Sequence, residues 1–126
     1  MKCFFDENLG PPLAEGLKGF GVDAMHLLEE FDPRTPDIDW LPYVAKNGYI
    51  LFTRYNKILL RPQERAILKE QKIGAFFLSG KNMGRWDHIR QIIRAWHKIE
   101  EAAKDDPPFA YKVNRHGTKV EKIALD

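Results

Sequence analysis

Short apolar segments alternate with helix-forming segments along this chain of 126 residues. The apolar segments show no helical period, which is typical of buried strands. Because parallel strands are joined by crossover helices, the alternation predicts a parallel sheet covered by helices on both faces. The predicted strands are the run that ends at Phe5, then Val22–Leu27, Tyr49–Thr53 and Ile73–Leu78.

Four helices are predicted between and after these strands. The first three begin with Pro in the first turn, acids follow the Pro in the second helix, and Gly or Asn ends the first two. The first runs from Pro12 to Phe20, the second from a Thr35 cap to about Lys46, the third opens at Arg61-Pro62, and the last spans Gly84 to Lys104. The residues expected to face the core are Leu13, Leu17 and Phe20 in the first helix, and Trp86, Ile89, Ile93, Trp96 and Ile99 in the last.

The end of the chain predicts a hairpin, because Phe109–Val113 and Lys119–Ile123 alternate around His116-Gly117. The expected fold is a three-layer α/β/α sandwich with a mostly parallel central sheet and the hairpin appended to it. A hydrophobic content of 44% suits one domain over residues 1–126. No apolar run approaches the ~18 residues of a membrane span, so we expect no membrane partner and a cytoplasmic location. The lone cysteine, Cys3, is expected to be buried and structural.

The small net charge of +2 hides an asymmetry between the two parts of the chain. Residues 1–53 carry four basic and nine acidic side chains, whereas residues 54–126 carry sixteen basic and nine acidic ones. An acidic part joined to a cationic part suits an enzyme that holds a metal ion and a polyanion together. Chance segregation of surface charge is the alternative.

Polar residues are expected to meet at the carboxyl ends of the strands, where ligands bind in open α/β sheets. The candidates are Asp6 with Glu7 and Asn8 after the first strand, Asp37 and Asp39 at the second helix, and Thr53 with Arg54 after the third strand. Converging carboxylates repel one another unless a cation neutralises them, and oxygen ligands suit Mg²⁺ or Mn²⁺. Alternatively, Asp6 is a turn former, and the helical acids only stabilise the helix start. Since Asp37 and Asp39 are two residues apart on a helix, only one is expected to bind the metal.

Cationic side chains cluster after the third predicted strand. Such donors would neutralise a phosphate backbone without recognising its sequence. They are Arg54, Lys57, Arg61, Arg65 and Lys69. For Arg65 and Lys69, a solvated helix face is the alternative. The four histidines show no paired zinc spacing.

Three segments, residues 4–21, 35–54 and 56–80, resemble the PIN-like domains of VapC-type toxins. The matching features are the Asp-Glu-Asn opening and the helix that starts Arg-Pro-Gln-Glu after the third strand. The resemblance implies a Mg²⁺- or Mn²⁺-dependent endoribonuclease, the toxin of a type II toxin–antitoxin pair, with RNA as substrate, a cognate antitoxin as partner and often a homodimer. It also implies Asp6 and Asp37 as metal ligands and catalytic residues, with Asp39 as a neighbouring acid. The proposed substrate-binding residues are Asn8, Thr53, Arg54, Lys57 and Arg61.

The chain departs from the family pattern at Tyr55, which stands where a third acidic residue is expected. Tyrosine is a poor Mg²⁺ ligand because it is neutral at pH 7, and Asn82 is a weak substitute for a fourth acid. Three explanations stay open: a degenerate natural member, a compensating acid such as Glu7 or Asp39, or a substitution that tames a toxic enzyme. A catalytically inactive PIN-like module that binds protein or RNA is the alternative function. A signalling receiver domain is disfavoured, because Tyr55 occupies the place of its phosphorylated aspartate.

Overall fold

A computed structural model of the protein describes residues 1–54, 59 and 61–125. Six of the strands that it describes form one sheet in the order β2-β1-β3-β4-β5-β6. The first five run parallel, and β6 pairs antiparallel with β5. The strands are β1 (Lys2–Phe5), β2 (Asp23–His26), β3 (Ile50–Arg54), β4 (Gly74–Leu78), β5 (Phe109–Val113) and β6 (Val120–Ile123). The helices are α1 (Pro11–Gly19), α2 (Asp37–Lys46), α3 (Pro62–Glu70) and α4 (Arg85–Ala102), with a short 3₁₀ helix at Leu27–Glu29.

The sheet is covered on both faces, as the alternating pattern predicts. One core cluster joins α1 and α4 to the sheet through residues such as Leu17, Phe76 and Ile92. The other joins α2 and α3 to the opposite face through residues such as Trp40 and Leu68. The predicted three-layer α/β/α sandwich with a mostly parallel sheet is therefore confirmed.

The strand order reverses between β1 and β3. From β1 the chain first adds β2 on one side, and it then places β3 and the following strands on the other. The register pairs Phe5 with Phe52, so the residues that follow them at the carboxyl ends, Asp6 and Thr53, are neighbours. Crevices at such a switch point are where open α/β sheets bind ligands.

The C-terminal hairpin is part of the sheet, because β5 pairs along its whole length with β4. Cys3 is fully buried as expected, and burial raises the pKa of its thiol to about 12, so the thiol stays protonated at neutral pH. None of the helices in the described ranges is both long and apolar enough to cross a membrane.

Part of the predicted core is wrong. Phe20, Trp86 and Ile93 are 87%, 74% and 58% exposed. Of the predicted residues of α4, Ile99 is fully buried, and the helix turns Gln91, Ile92 and Ala95 inward beside it. Gln91 can be buried because its Nε2 donates hydrogen bonds to the carbonyl oxygens of Ser79 and Asn114, at 2.8 and 2.9 Å. Ile89 and Trp96 keep a half-buried position against the core.

The predicted Thr35 cap is also wrong. Helix α2 begins at Asp37 with Pro36 in the cap position, and no side-chain hydrogen bond caps it. The Thr35 hydroxyl donates instead to the carbonyl oxygen of Asp32 at 2.7 Å. The later start brings both acids into the first turn of the helix, next to its exposed N–H groups.

Candidate active site

Asp6 is a buried carboxylate at the switch point of the sheet, with only 4% of its surface exposed. Its Oδ2 accepts a hydrogen bond from the Thr53 hydroxyl, and its Oδ1 accepts one from the backbone N–H of Asn8 at 2.8 Å. Burial raises the pKa of Asp6, and these two hydrogen bonds oppose that rise because they favour the charged form. The two hydrogen bonds thus fix the orientation of the carboxylate.

His26, to which the sequence assigned no role, stabilises the loop after β1 through hydrogen bonds. His26 Nδ1 accepts a hydrogen bond from the backbone N–H of Leu28 at 3.1 Å. Its Nε2 lies 2.6 Å from the carbonyl oxygen of Leu9, to which it donates, because Nδ1 is the accepting nitrogen. The ring therefore fixes the end of the Asp6–Leu9 turn against β2.

Asp37 is the second carboxylate of the site. It is the first residue of α2, its side chain is 24% exposed, and its negative charge raises the pKa of Asp6. Arg61 Nη1 lies 3.7 Å from Asp37 Oδ2. Asp39 is exposed in the same turn, so of the two helical acids Asp37 is the one whose charge acts on Asp6.

Glu7 and Asn8 hold the turn in place, each through a backbone contact. Glu7 Oε1 accepts a hydrogen bond of 2.8 Å from the backbone N–H of Arg34, which ties the end of β1 to the loop that leads into α2. The Asn8 side chain is exposed, and its backbone N–H is the group that contacts Asp6. Asn82 is an exposed residue with a φ of 54°.

Arg54 extends the site along the sheet edge toward β4. Its Nη2 donates a hydrogen bond of 3.0 Å to the carbonyl oxygen of Gly80. Burial lowers the pKa of His88 on α4, and the positive charge of Arg54 acts in the same direction. His88 is therefore a neutral side chain at pH 7, and Arg54 provides the positive charge there.

The described residues thus bring together five of the predicted site residues: Asp6, Asn8, Asp37, Thr53 and Arg61. Arg54 follows Thr53 in β3, and Asp39 is the third residue of α2, two positions after Asp37. Tyr55 and Lys57 lie outside the described residues. Within the described part of the chain, no three His, Cys, Asp or Glu side chains form a group that could hold a metal ion.

The chemistry of the two carboxylates, Asp6 and Asp37, suits a hard divalent cation. Carboxylate oxygens are the ligands that Mg²⁺ and Mn²⁺ prefer, and Mg²⁺ is commonly bound by only one or two carboxylates together with water and phosphate oxygens. A bound cation would also offset the burial and the repulsion from Asp37, which both raise the pKa of Asp6. Asp6 and Asp37 are the residues that would hold it.

The family model described as "PIN like domain" matches residues 1–80, which include β1 to β4 and the Gly80 contacted by Arg54. No curated protein and no solved structure gives a match. The matched part contains both carboxylates and the hydrogen bond that links β1 to β3. The fold is of the nuclease type, and the chain belongs to the PIN-like domain family.

Proposed function

We propose that the protein is a metal-dependent endoribonuclease of the VapC type, the toxin of a type II toxin–antitoxin pair. One observation carries the proposal: a buried Asp6, oriented by Thr53, lies within the electrostatic reach of Asp37 at the switch point of the sheet. Structural carboxylates are rarely buried without a cation, whereas functional sites often contain groups with perturbed pKa values. The nuclease-type fold of the family supports the same activity.

Each residue of the site has a distinct proposed role. Asp6 and Asp37 would hold Mg²⁺ or Mn²⁺, which when bound can activate water and stabilise the charge that develops on a phosphodiester. Thr53 is a positioning residue, since its hydroxyl fixes the orientation of the Asp6 carboxylate. Arg54 and Arg61 would attract backbone phosphates, with Asn8 and Lys57 as further candidates. Tyr55 limits the charge of the site, so metal binding is expected to be weak.

Thr53→Val is expected to weaken Mn²⁺ binding by about 10- to 100-fold, the usual effect of losing a partner that orients a metal ligand. The Thr53 hydrogen bond lowers the pKa of Asp6. Removing it raises that pKa, so the pH needed for Mn²⁺ binding should shift upward. Calorimetric titration with Mn²⁺ at several pH values measures both effects. Thr53→Ser keeps the hydroxyl and should behave like the unaltered chain, and equal losses in both variants would contradict the positioning role.

Cleavage of single-stranded RNA in Mg²⁺ or Mn²⁺ tests the proposed activity. Asp6→Ala is expected to remove cleavage, and Tyr55→Asp is expected to increase it, because a third carboxylate restores charge at the site. The increase should be largest at low metal concentration. If neither the unaltered chain nor the Tyr55→Asp variant cleaves RNA, the protein is not a nuclease.

A catalytically inactive PIN-like module that binds protein or RNA is the second candidate, and Tyr55 is the residue that favours it. Mn²⁺ titration distinguishes the two functions. Failure of both the unaltered chain and Tyr55→Asp to bind Mn²⁺ would support the binding module.

A protein partner is supported by an apolar strip formed by the exposed Phe20 that follows α1 and by the exposed Trp86 and Ile93 and the half-buried Ile89 on α4. Its borders carry Arg85, Arg90 and Arg94. This combination suits an acidic amphipathic helix, whose apolar face would cover the strip while its carboxylates meet the arginines. A second copy of the chain would bring arginines against arginines, so the cognate antitoxin is the preferred occupant.

Co-expression with the product of the neighbouring open reading frame tests this partner. Ile93→Glu is expected to prevent co-purification of the two proteins, because it places a charge in the middle of the strip. Leu28→Glu, an equivalent change at an exposed position in the 3₁₀ helix, is the control. If Ile93→Glu leaves the complex intact, the strip is not the antitoxin site. A dimer of the chain alone that Ile93→Glu dissociates would assign the strip to a second copy.

A further inference from the structure

A basic cavity of about 290 Å³ lies between α4 and the turn that joins β5 to β6. Arg90 and Arg94 line it from the helix, and Arg115 and His116 line it from the turn. Asp87 is the one carboxylate in its lining among the described residues. Three guanidinium groups around one small cavity create a strongly positive potential, which attracts anions.

The arginines are held in place but keep donors for a ligand. Arg94 Nη1 donates to the carbonyl oxygen of His116 at 3.4 Å, and Arg115 Nη1 donates to that of Lys81 at 2.7 Å. Arg90 Nη1 lies 3.5 Å from Asp87 Oδ1. Each of these contacts engages one of the five N–H groups of a guanidinium. Because all three side chains line the same cavity, their remaining N–H groups suit a phosphate, which arginine binds through paired N–H groups.

The cavity adjoins the carboxylate site through residues 80–83. Arg54 donates to the carbonyl oxygen of Gly80, and Met83, which lines the cavity, lies directly against Gly80. Lys81, in the same loop, accepts the hydrogen bond of Arg115. Residues 80–83 therefore connect Arg54, at the end of β3, to Arg115 and the cavity.

The cavity is built almost entirely beyond the part of the chain that matches the family model. That match ends at residue 80, whereas the arginines come from α4 and from the hairpin turn. The turn is held against the helix at Gly117, where the backbone of Gln91 leaves no room for a side chain. The C-terminal segment thus adds its own binding feature to the sheet edge.

We propose that this basic cavity binds a backbone phosphate of a single-stranded RNA whose scissile phosphate lies at Asp6 and Asp37. The inference rests on the proposed function for the identity of the polyanion. The contact neutralises phosphate charge and therefore sets the affinity and position of the strand without selecting its bases. Arg54 lies between the two sites and bridges them along the strand.

Fluorescence anisotropy with a labelled 12-nucleotide single-stranded RNA tests the cavity, with EDTA present so that no cleavage occurs. Arg94→Gln and Arg115→Gln are each expected to weaken binding about tenfold and to lower the salt dependence by about one phosphate contact. Lys104→Gln removes the same charge at an exposed position beyond the other end of α4 and should bind like the unaltered chain. Thermal unfolding checks that each variant is folded, and either arginine variant alone suffices if the other does not fold.

The outcomes separate this inference from the proposed activity. Unchanged affinity and salt dependence in a folded arginine variant would overturn the cavity as an RNA site, even if the protein cleaves RNA. Arginine-dependent binding by a chain that never cleaves RNA would support the cavity and overturn the nuclease. Inorganic phosphate alone is the remaining probe: if it saturates the arginines at micromolar concentration and RNA binding does not depend on them, the ligand is a free phosphate and the RNA inference fails.

Discussion

Replacing Asp6 with asparagine is expected to stabilise the fold while it abolishes metal-dependent cleavage. Burial raises the pKa of Asp6, which means that the folded state disfavours the charged carboxylate relative to the unfolded chain. Asparagine is neutral, can accept the Asn8 hydrogen bond, and can donate to the Thr53 hydroxyl, which rotates to accept. We expect a gain of about 1 kcal/mol at pH 7, the usual size of a stabilising change at a functional site. Loss of a metal ligand should lower cleavage by about 1,000-fold or more.

The stability gain should depend on pH in a defined direction. A carboxyl group whose pKa is raised by folding binds its proton more tightly in the folded state, so the unaltered protein gains stability as the pH falls through the folded-state pKa. The difference between the two proteins should therefore be largest at neutral pH and disappear below the unfolded-state pKa. Chemical denaturation at a series of pH values measures it. Asp106→Asn, at an exposed position, is the control, and an asparagine variant less stable than the unaltered chain at pH 7 would refute the argument.

The sequence predicts the residues of this site that lie at the ends of strands. Asp6 and Thr53 each follow a short apolar run, and parallel strands bring their carboxyl ends to one edge, so their proximity follows from the pattern alone. The choice between Asp37 and Asp39 does not follow from it. It depends on where α2 begins, and the helix starts one residue later than a Thr35 cap would place it.

The side chains that the pattern misses are polar residues buried by distant backbone groups. His26 is held by the carbonyl oxygen of Leu9, and Gln91 by those of Ser79 and Asn114. Neither contact leaves a periodic signal, since its partner is far away in the sequence. The prediction that Trp86 faces the core is wrong for the same reason. All the buried contacts of a helix together determine which face turns inward, and in α4 the hydrogen-bonded Gln91 amide is buried while the Trp86 indole is exposed.

Gly117→Ala is expected to be the most damaging single change outside the core. Gly117 has a φ of 71°, and a Cβ built there would lie 2.2 Å from the carbonyl oxygen of Gln91. The left-handed conformation costs a non-glycine residue about 1–2 kcal/mol, and the steric overlap adds about 1–3 kcal/mol because the turn must move away from α4. Chemical denaturation should show a decrease in the free energy of unfolding equal to the sum of these two costs. Since Arg115 and His116 move with the turn, RNA binding in EDTA should weaken as well.

Gly48→Ala separates the two causes. Gly48 has nearly the same φ, 69°, but a Cβ there would meet no atom within 4 Å. Its substitution should cost only the backbone term of about 1–2 kcal/mol and leave RNA binding unchanged, because Gly48 lies between α2 and β3, away from the basic cavity. Equal losses of stability in the two variants would mean that the turn yields freely. In that case the close contact between Gly117 and Gln91 does not hold Arg115 of the turn against α4, and the cavity would have to be formed by the helix alone.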